Sequence, residues 1–147
     1  GTESMAAVVD DLVQRHARAL PMEVRGSDPS SAASWFRGKV DFPVRAPRLE
    51  LIGASFEGAR VSNVRANQAA QLAYTVDGRR VTFMVFPAER LAVTGPPVTR
   101  IQGRDVYVGR RNGYNAAVLL DGDLAYAISS DLPSRRLISL LGELATR

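Results

Sequence analysis

The stretch SDPSSAASWFRGKVDFPV, residues 27–44, predicts a short helix followed by an abrupt turn. Asp28 or Ser27 can cap the free N–H groups at its start, and Pro29 suits the first helical position because that N–H has no helical partner. Gly38 is predicted to end the helix, since a residue without Cβ reaches positive φ at low cost.

Three aromatic rings are predicted to anchor this helix. Trp35 is the only tryptophan of the chain, and Phe36 and Phe42 are two of its five phenylalanines. A helix of about ten residues does not persist alone in water. Burial of these rings is therefore expected to hold it against the rest of the fold.

An amphipathic helix is predicted upstream, from Met5 to Leu20. Ser4 can cap it, and Pro21 marks its end. Its apolar side chains recur at helical spacing on one face, namely Met5, Val8, Val9, Leu12, Val13, Ala17 and Leu20.

His16, the only histidine, lies within that apolar stripe. Its charge changes near neutrality, so it is a candidate pH-sensitive or ligand-contacting group. The alternative, which we favour, is a boundary histidine with one ring nitrogen hydrogen-bonded and the rest of the ring packed. A metal site is less expected, because a single histidine has no second ligand nearby.

After Pro43 and Pro47, which enforce an extended path, the pattern changes to that of strands. Glu57-Gly58, Asp77-Gly78 and Asn112-Gly113 are the predicted turns between alternating apolar runs. The strands themselves are predicted at residues 49–56, 59–65, 71–76, 80–86, 104–111, 114–120 and 124–129.

Residues 88–103 contain Gly95-Pro96-Pro97 and are predicted to form an irregular loop, with a short strand near 91–93. A loop of this length is either functional or a packed connector. A closing helix is predicted from about Pro133 to Thr146, capped by Ser130 or Asp131. Its apolar face consists of Leu137, Ile138, Leu140, Leu141 and Leu144.

These elements sum to an α+β fold: an antiparallel sheet of six or seven strands in a meander, with two N-terminal helices and one C-terminal helix packed on it. Helices on one face of the sheet are the economical way to bury all three apolar stripes. The 147 residues fit a single domain. Residues 1–4 are compatible with a cloning remnant, and a native chain that begins further upstream is left open.

Composition narrows the class of protein. Hydrophobic residues make up 46% and charged residues 23%, which argues against disorder. The net charge of +4 is scattered, without the basic stripe or motif typical of nucleic-acid binders. The absence of cysteine excludes disulfides and thiolate metal sites. No apolar run approaches the roughly 20 residues of a membrane span, and the first residues lack the layout of a secretion signal.

No motif of catalytic chemistry emerges. Asp121-Gly122-Asp123 is too short for a calcium loop and is typical of a hairpin turn. Gly103, Gly109 and Gly113 fit neither a phosphate loop nor a dinucleotide fingerprint, and are predicted to make turns between strands. His16 has no obvious serine partner. We therefore expect neither an enzyme nor a cofactor.

Two blocks of sequence resemble the extracytoplasmic domain of membrane-anchored anti-sigma factors, transmembrane regulators that hold an extracytoplasmic-function sigma factor inactive. The first block runs from HARAL (16–20) through Ser27-Asp28 to WFRGKVDF (35–42), and the second joins GYN (113–115) to AYAISSDL (125–132). The resemblance extends over about residues 8–132. Members of this family carry His-Thr where this chain has Ser30-Ser31, and Pro where it has Ser34, so the role of that histidine is not carried over.

The resemblance implies a non-catalytic sensor domain on the extracytoplasmic (periplasmic) face of a bacterial cytoplasmic membrane. The implied partners are a sigma factor, bound through a cytoplasmic zinc-motif module absent from this sequence, and an envelope protein or protease. The membrane would be reached through an upstream helix, also absent here. No nucleic-acid partner is expected.

Two other functions stay open. One is a free-standing periplasmic or cytoplasmic domain that binds a small ligand or a protein, with a pocket between the sheet face and the 88–103 loop. The other is a nucleic-acid module that uses the +4 charge, whose binding should weaken steeply with salt.

The candidate ligand- or partner-binding residues are His16, Arg18, Trp35, Phe36 and Lys39. For the two aromatic residues the alternative is core packing, and for Arg18 and Lys39 it is an exposed surface charge.

Overall fold

The structure, a computed structural model, describes residues 3–18, 20–26, 28–46, 53–89 and 91–145. Within these residues it contains three helices and ten strands. The helices are α1 (Met5–Ala17), α2 (Pro29–Trp35) and α3 (Ser134–Ala145). The strands are β1 (Glu3–Ser4), β2 (Val24–Arg25), β3 (Ala54–Val64), β4 (Asn67–Val76), β5 (Arg79–Pro87), β6 (Leu91–Ala92), β7 (Thr99–Ile101), β8 (Arg104–Arg111), β9 (Tyr114–Asp121) and β10 (Leu124–Ser130).

Eight of the strands form one antiparallel sheet in the order β2-β3-β4-β5-β10-β9-β8-β7. The predicted α+β class and the antiparallel sheet are confirmed. The strand count of six or seven was too low, and the single meander is instead two meanders, β2 to β5 and β7 to β10, joined where β5 pairs with β10. A small parallel pair, β1 with β6, completes the described strands.

Helices cover both faces of the sheet, so the prediction that they share one face is wrong. Helix α1 contributes to one core together with the Met84 face of β5, whereas α2 and α3 contribute to a second core with the Phe83 face. Residues Val81–Phe86 of β5 are buried at every position, and so are the residues from Ala125 to Ser130 of β10. Strands that are apolar on both sides require cover on both sides.

The predicted caps of α1 and α2 are confirmed, whereas α3 begins at Ser134, so neither Ser130 nor Asp131 is its N-cap. The Ser4 hydroxyl accepts the Ala7 N–H at 3.1 Å and caps α1. Asp28 caps α2 by accepting the Ser30 N–H at 3.0 Å, while Ser27 lies outside the described residues. Helix α1 ends at Ala17 rather than at Leu20.

Helix α2 ends at Trp35, earlier than predicted, and a tight turn follows it. Phe36 caps the helix, and its carbonyl accepts the N–H groups of Lys39 at 2.9 Å and Val40 at 3.2 Å. Gly38 lies inside this turn with a φ of 81°, where a side chain would be strained. The predicted positive φ is thus confirmed, in the turn after the helix.

Hairpins form at Asp77-Gly78 and at Asn112-Gly113, as predicted, with positive φ at all four residues. The predicted turn at Glu57-Gly58 is wrong, because β3 continues through it with a bulge. At Gly58 an added Cβ would lie 2.6 Å from the Val24 carbonyl oxygen, so the glycine permits the close approach of β2.

The remaining connections differ in detail from the prediction. The 88–103 segment contains the expected short strand as β6, and also β7, which was not predicted. The predicted strand start at residues 49–52 lies outside the described residues. In α3, Leu137, Leu140 and Leu141 are buried, and Ile138 is half-buried.

Gly109 was predicted to make a turn, and this is also wrong, because it lies within β8. An added Cβ would lie 2.8 Å from both Cγ atoms of Val9, so α1 approaches the sheet over this glycine. Gly109→Ala is expected to lower the free energy of unfolding by about 1–3 kcal/mol through overpacking. Urea denaturation measures the change.

Two further variants control this prediction. Gly109→Ala combined with Val9→Ala should lose less stability than the sum of the two single changes, since the clash is relieved. Gly142→Ala should stabilise α3 slightly, because an added Cβ has nothing within 4 Å and alanine favours a helix. A fully tolerated Gly109→Ala would contradict the close approach.

Candidate functional site

The segment from Trp35 to Phe42 forms a compact aromatic and basic cluster. The Trp35 and Phe36 rings meet edge-on, with centroids 5.0 Å apart. Phe36 is only 1% exposed and belongs to the core shared with α3, whereas Trp35 is half-buried. Lys39 Nζ lies 4.7 Å from the Trp35 ring centroid, in the geometry of a cation–π contact.

Two neighbouring clefts share Phe42 and Pro43 as a common wall. The larger has a volume of about 500 Å³ and lies at the end of the sheet where β5 and β9 finish and β10 begins. It is lined by Asp41, Phe42, Pro43, Pro87, Glu89, Asp121, Asp123 and Leu124. The smaller, of about 270 Å³, is lined by Ala33, Phe36, Arg37, Phe42, Pro43 and Val44.

The lining of the larger cleft combines four carboxylates with four apolar side chains. Of its four carboxylates, Asp121 is paired with Arg104 at 2.9 Å, so part of its charge is compensated. The Ala88 N–H donates to the Asp123 carbonyl at 2.7 Å and holds one rim in place. Such a lining suits a ligand or side chain that is both apolar and positively charged.

Tyr126 follows two residues after Leu124, which lines this cleft. It is 4% exposed, and burial is the main cause that raises the pKa of its phenol above the ordinary value. The Asp121 carboxylate raises that pKa further. Its ring stacks on Phe83 with centroids 6.3 Å apart, which makes it part of the core.

His16 lies on the opposite face of the sheet, under the last turn of α1. It is 2% exposed, and its Nδ1 lies 2.7 Å from the Thr82 hydroxyl. Its ring meets Tyr114 edge-on at 5.1 Å. Its carbonyl accepts a hydrogen bond from Arg80 at 3.1 Å. The ring is hydrogen-bonded and packed, as in the interpretation that we favoured from the sequence, but it is fully buried rather than at a boundary.

The surroundings of His16 keep its ring neutral. Burial, and then the positive charge of Arg80, lower its pKa from 6.5 to about 4, while Asp131 acts in the opposite direction. A neutral ring under α1 is thus part of the fold near pH 7.

The five candidate residues do not converge on one site. Three of them lie together on the face of the sheet that α2 covers: Trp35, Phe36 and Lys39. His16 lies on the opposite face, which α1 covers, and Arg18 is the exposed C-cap of α1. None of them lines the larger cleft, and Phe36 alone lines the smaller one.

The residues that shape the larger cleft were largely missed from the sequence. Asp121-Gly122-Asp123 was correctly predicted as a turn, but nothing in its spacing showed that it would face Asp41. Two signals were available: Phe42, which was predicted as an anchor and lines both clefts, and the 88–103 segment, of which Glu89 lines the larger cleft.

Within the described ranges, no group of three or more His, Cys, Asp or Glu side chains is arranged to hold a metal ion. Among the same residues, no helix combines the length and the apolar character needed to cross a membrane.

Comparison with known proteins adds no relative. No protein-family model matches the chain, and neither a curated protein nor a solved structure matches it significantly.

The depressed pKa of His16 predicts a pH-dependent stability. The unfolded chain binds a proton near pH 6.5 and the folded chain only near pH 4, so the stabilisation is complete above pH 6.5 and lost as the pH falls toward 4. Between these limits the wild type should lose roughly 2–3 kcal/mol more than His16→Gln. Urea denaturation from pH 7 to pH 4 measures the difference, and parallel curves would contradict it.

The burial of Phe36 predicts that it contributes more to stability than its neighbour. Phe36→Ala should lower the free energy of unfolding by about 3–5 kcal/mol, as for a fully buried phenylalanine. Trp35→Ala should lower it by less, because that ring is half exposed to water. Equal losses in thermal or urea denaturation would contradict the larger contribution of Phe36.

Proposed function

We propose that this chain is a non-catalytic extracytoplasmic sensor domain of a membrane-bound anti-sigma factor that regulates an extracytoplasmic-function sigma factor. The proposal begins from the resemblance of its two sequence blocks to such domains. The single observation that supports it most is that these blocks, distant in sequence, are in contact in the fold.

The contacts join the two blocks and close the second block on itself. His16 of the first block meets Tyr114 of the second. Within the second block, the Asn115 side-chain amide donates to the Leu132 carbonyl at 2.8 Å, and the Leu132 N–H donates to the Ser130 hydroxyl at 3.2 Å. Residues that carry the resemblance therefore contact one another in this fold, and this supports the proposal.

The first block also shapes the surface on which a signal would act. Asp41 and Phe42 follow directly on the Trp35-to-Lys39 cluster and line the acidic cleft. A ligand, partner or protease can transmit a signal only if it favours one conformational state over another. In this proposal the cleft and the neighbouring cluster are where that difference arises.

The sigma factor and the membrane enter the proposal through other parts of a longer protein. A cytoplasmic module would hold the sigma factor, an upstream helix would cross the membrane, and this domain would lie on the periplasmic side. An envelope protein or a protease would be its partner there.

The test is sigma-dependent transcription from the full-length native gene, measured with a reporter. Deletion of residues 5–145 should change the output, and an unchanged output would contradict a sensor role. Asp123→Lys in the cleft should alter the response, whereas Glu57→Lys, an exposed charge reversal on β3, serves as the matched control.

A specific observation favours a second function, a free-standing small-ligand-binding domain. The larger cleft has the volume of a ligand pocket, and one residue of the 88–103 segment, Glu89, lines it. A native gene without an upstream apolar helix would favour this function. Saturable binding of spermidine or an arginine ester by wild type, lost in Asp123→Lys, would support it.

A further inference from the structure

The two outer edges of the sheet differ in how their main-chain groups are used. At the edge formed by β3, side chains occupy the positions that a further strand would need. The Val61 N–H donates to Glu23 at 2.7 Å, and the Val61 carbonyl accepts from Arg60 at 3.2 Å. These contacts occupy one position of the edge with charged groups.

Charged side chains also bind the outward main-chain groups at the end of β3 and in the turn that follows it. The Asn63 carbonyl accepts from Arg15 at 3.1 Å, and the Arg65 N–H donates to Asp11 at 2.6 Å. Charged side chains over an edge prevent pairing with other chains. The part of this edge that follows the short contact with β2 is therefore occupied by charged side chains.

At the opposite edge, β7 covers only the first part of β8. Their pairing ends at Thr99 opposite Val106, with one further bond from the Val98 N–H to the Val106 carbonyl. Pro96 and Pro97 come directly before, and proline has no N–H with which to continue a ladder. The second part of β8 is left beyond the end of β7.

The register identifies the main-chain groups that face outward there. Arg111 and Tyr114 flank a two-residue turn, so they exchange hydrogen bonds, and alternate residues of β8 then point to β9. Val108 and Arg110 consequently direct their N–H and carbonyl groups away from β9. Within the described ranges, their only outward main-chain hydrogen bond is from the Arg111 side chain to the Arg110 carbonyl, at 3.2 Å.

The side chains beside this edge are basic. Arg110 is exposed, and its guanidinium donates to the neutral Asn115 amide oxygen at 3.1 Å, with no carboxylate within 4 Å among the described residues. Arg111 pairs with Asp10 at 3.2 Å, with about half of each side chain exposed. An incoming strand with carboxylates near Arg110 would meet complementary charge.

We propose that the outer edge of β8, from Tyr107 to Arg111, binds an extended acidic segment of a partner protein by strand addition. Main-chain hydrogen bonds to Val108 and Arg110 supply the binding, and Asp or Glu side chains beside Arg110 supply the selectivity. The inference rests on the proposed sensor function and deepens it by stating the chemistry of the partner.

A second copy of this chain is a poorer occupant of the edge. Antiparallel pairing of two β8 strands about Gly109 places each Arg110 opposite Val108 of the other copy, so both Arg110 side chains lie on the same face as diagonal neighbours. Like charges at such positions destabilise a strand pair.

The experiment uses the 147-residue chain labelled with ¹⁵N and two capped peptides, Thr-Glu-Val-Glu-Val-Thr and Thr-Lys-Val-Lys-Val-Thr. The glutamate peptide should shift the amide resonances of Val108 and Arg110 and slow their hydrogen exchange, leaving Val61 unchanged. The lysine peptide should bind at least about fivefold more weakly, the equivalent of one lost favourable contact.

Two variants make the test specific. Val108→Pro removes one outward N–H without touching the ladder to β9 and should weaken glutamate-peptide binding about fivefold. Arg110→Glu should reverse the preference between the peptides, whereas Arg37→Glu, the same charge change beside α2, should not. Thermal denaturation confirms that each variant is folded.

Three outcomes would overturn the inference: no shift at Val108 and Arg110, equal binding of both peptides, or a dimer of the free protein in sedimentation that Val108→Pro abolishes. The result is separable from the sensor proposal. Peptide binding with unchanged transcription on domain deletion would contradict the sensor role alone, and the reverse result would contradict strand addition alone.

Discussion

The pairing of β5 with β10 is the constraint on which the rest of this structure depends. It joins the two meanders, and it places two strands that are apolar on both sides at the centre of the sheet. On one side Phe83 stacks on Tyr126, and on the other Met84 and Phe86 lie opposite alanines of β10. Neither face can be left to water, so helices must cover both.

The small residues of the sheet determine how closely α1 can approach. Beneath the helix the sheet presents Gly109 and a set of buried alanines, which are Ala69, Ala116, Ala125 and Ala127. The branched side chains of α1 fill the space that these residues leave. His16 completes this layer with a hydrogen bond to Thr82, and its burial keeps the ring neutral. The α1 face is therefore a packed layer, and the only histidine of the chain belongs to it.

The opposite layer is built from α2 and α3, and two partly buried residues packed against its core, Phe42 and Leu124, line the larger cleft. Helix α2 has seven residues and contacts β3. The segment after it reaches the end of the sheet where β5 finishes and β10 begins. Phe42 and Pro43 lie between two clefts, and carboxylates from three separate segments gather around the larger one. The acidic cleft at the end of the sheet suits a positively charged ligand, whereas the open part of β8 at its edge suits an acidic segment. A partner could engage each through a different kind of contact.

The sequence by itself determined the local features: the caps at Ser4 and Asp28, the hairpins at Asp77-Gly78 and Asn112-Gly113, and the positive φ of Gly38. Each depends on hydrogen bonds and backbone angles within a few residues, so the residue types suffice to predict it. Gly58 and Gly109 look like the other glycines in sequence, yet both lie within strands because Val24 and Val9 approach them from distant segments. Only the tertiary structure decided these two positions, the cover of both faces and the placement of Asp41 and Asp121 around one cleft. The physical reason is that each requires contact between residues tens of positions apart, which a local pattern does not encode.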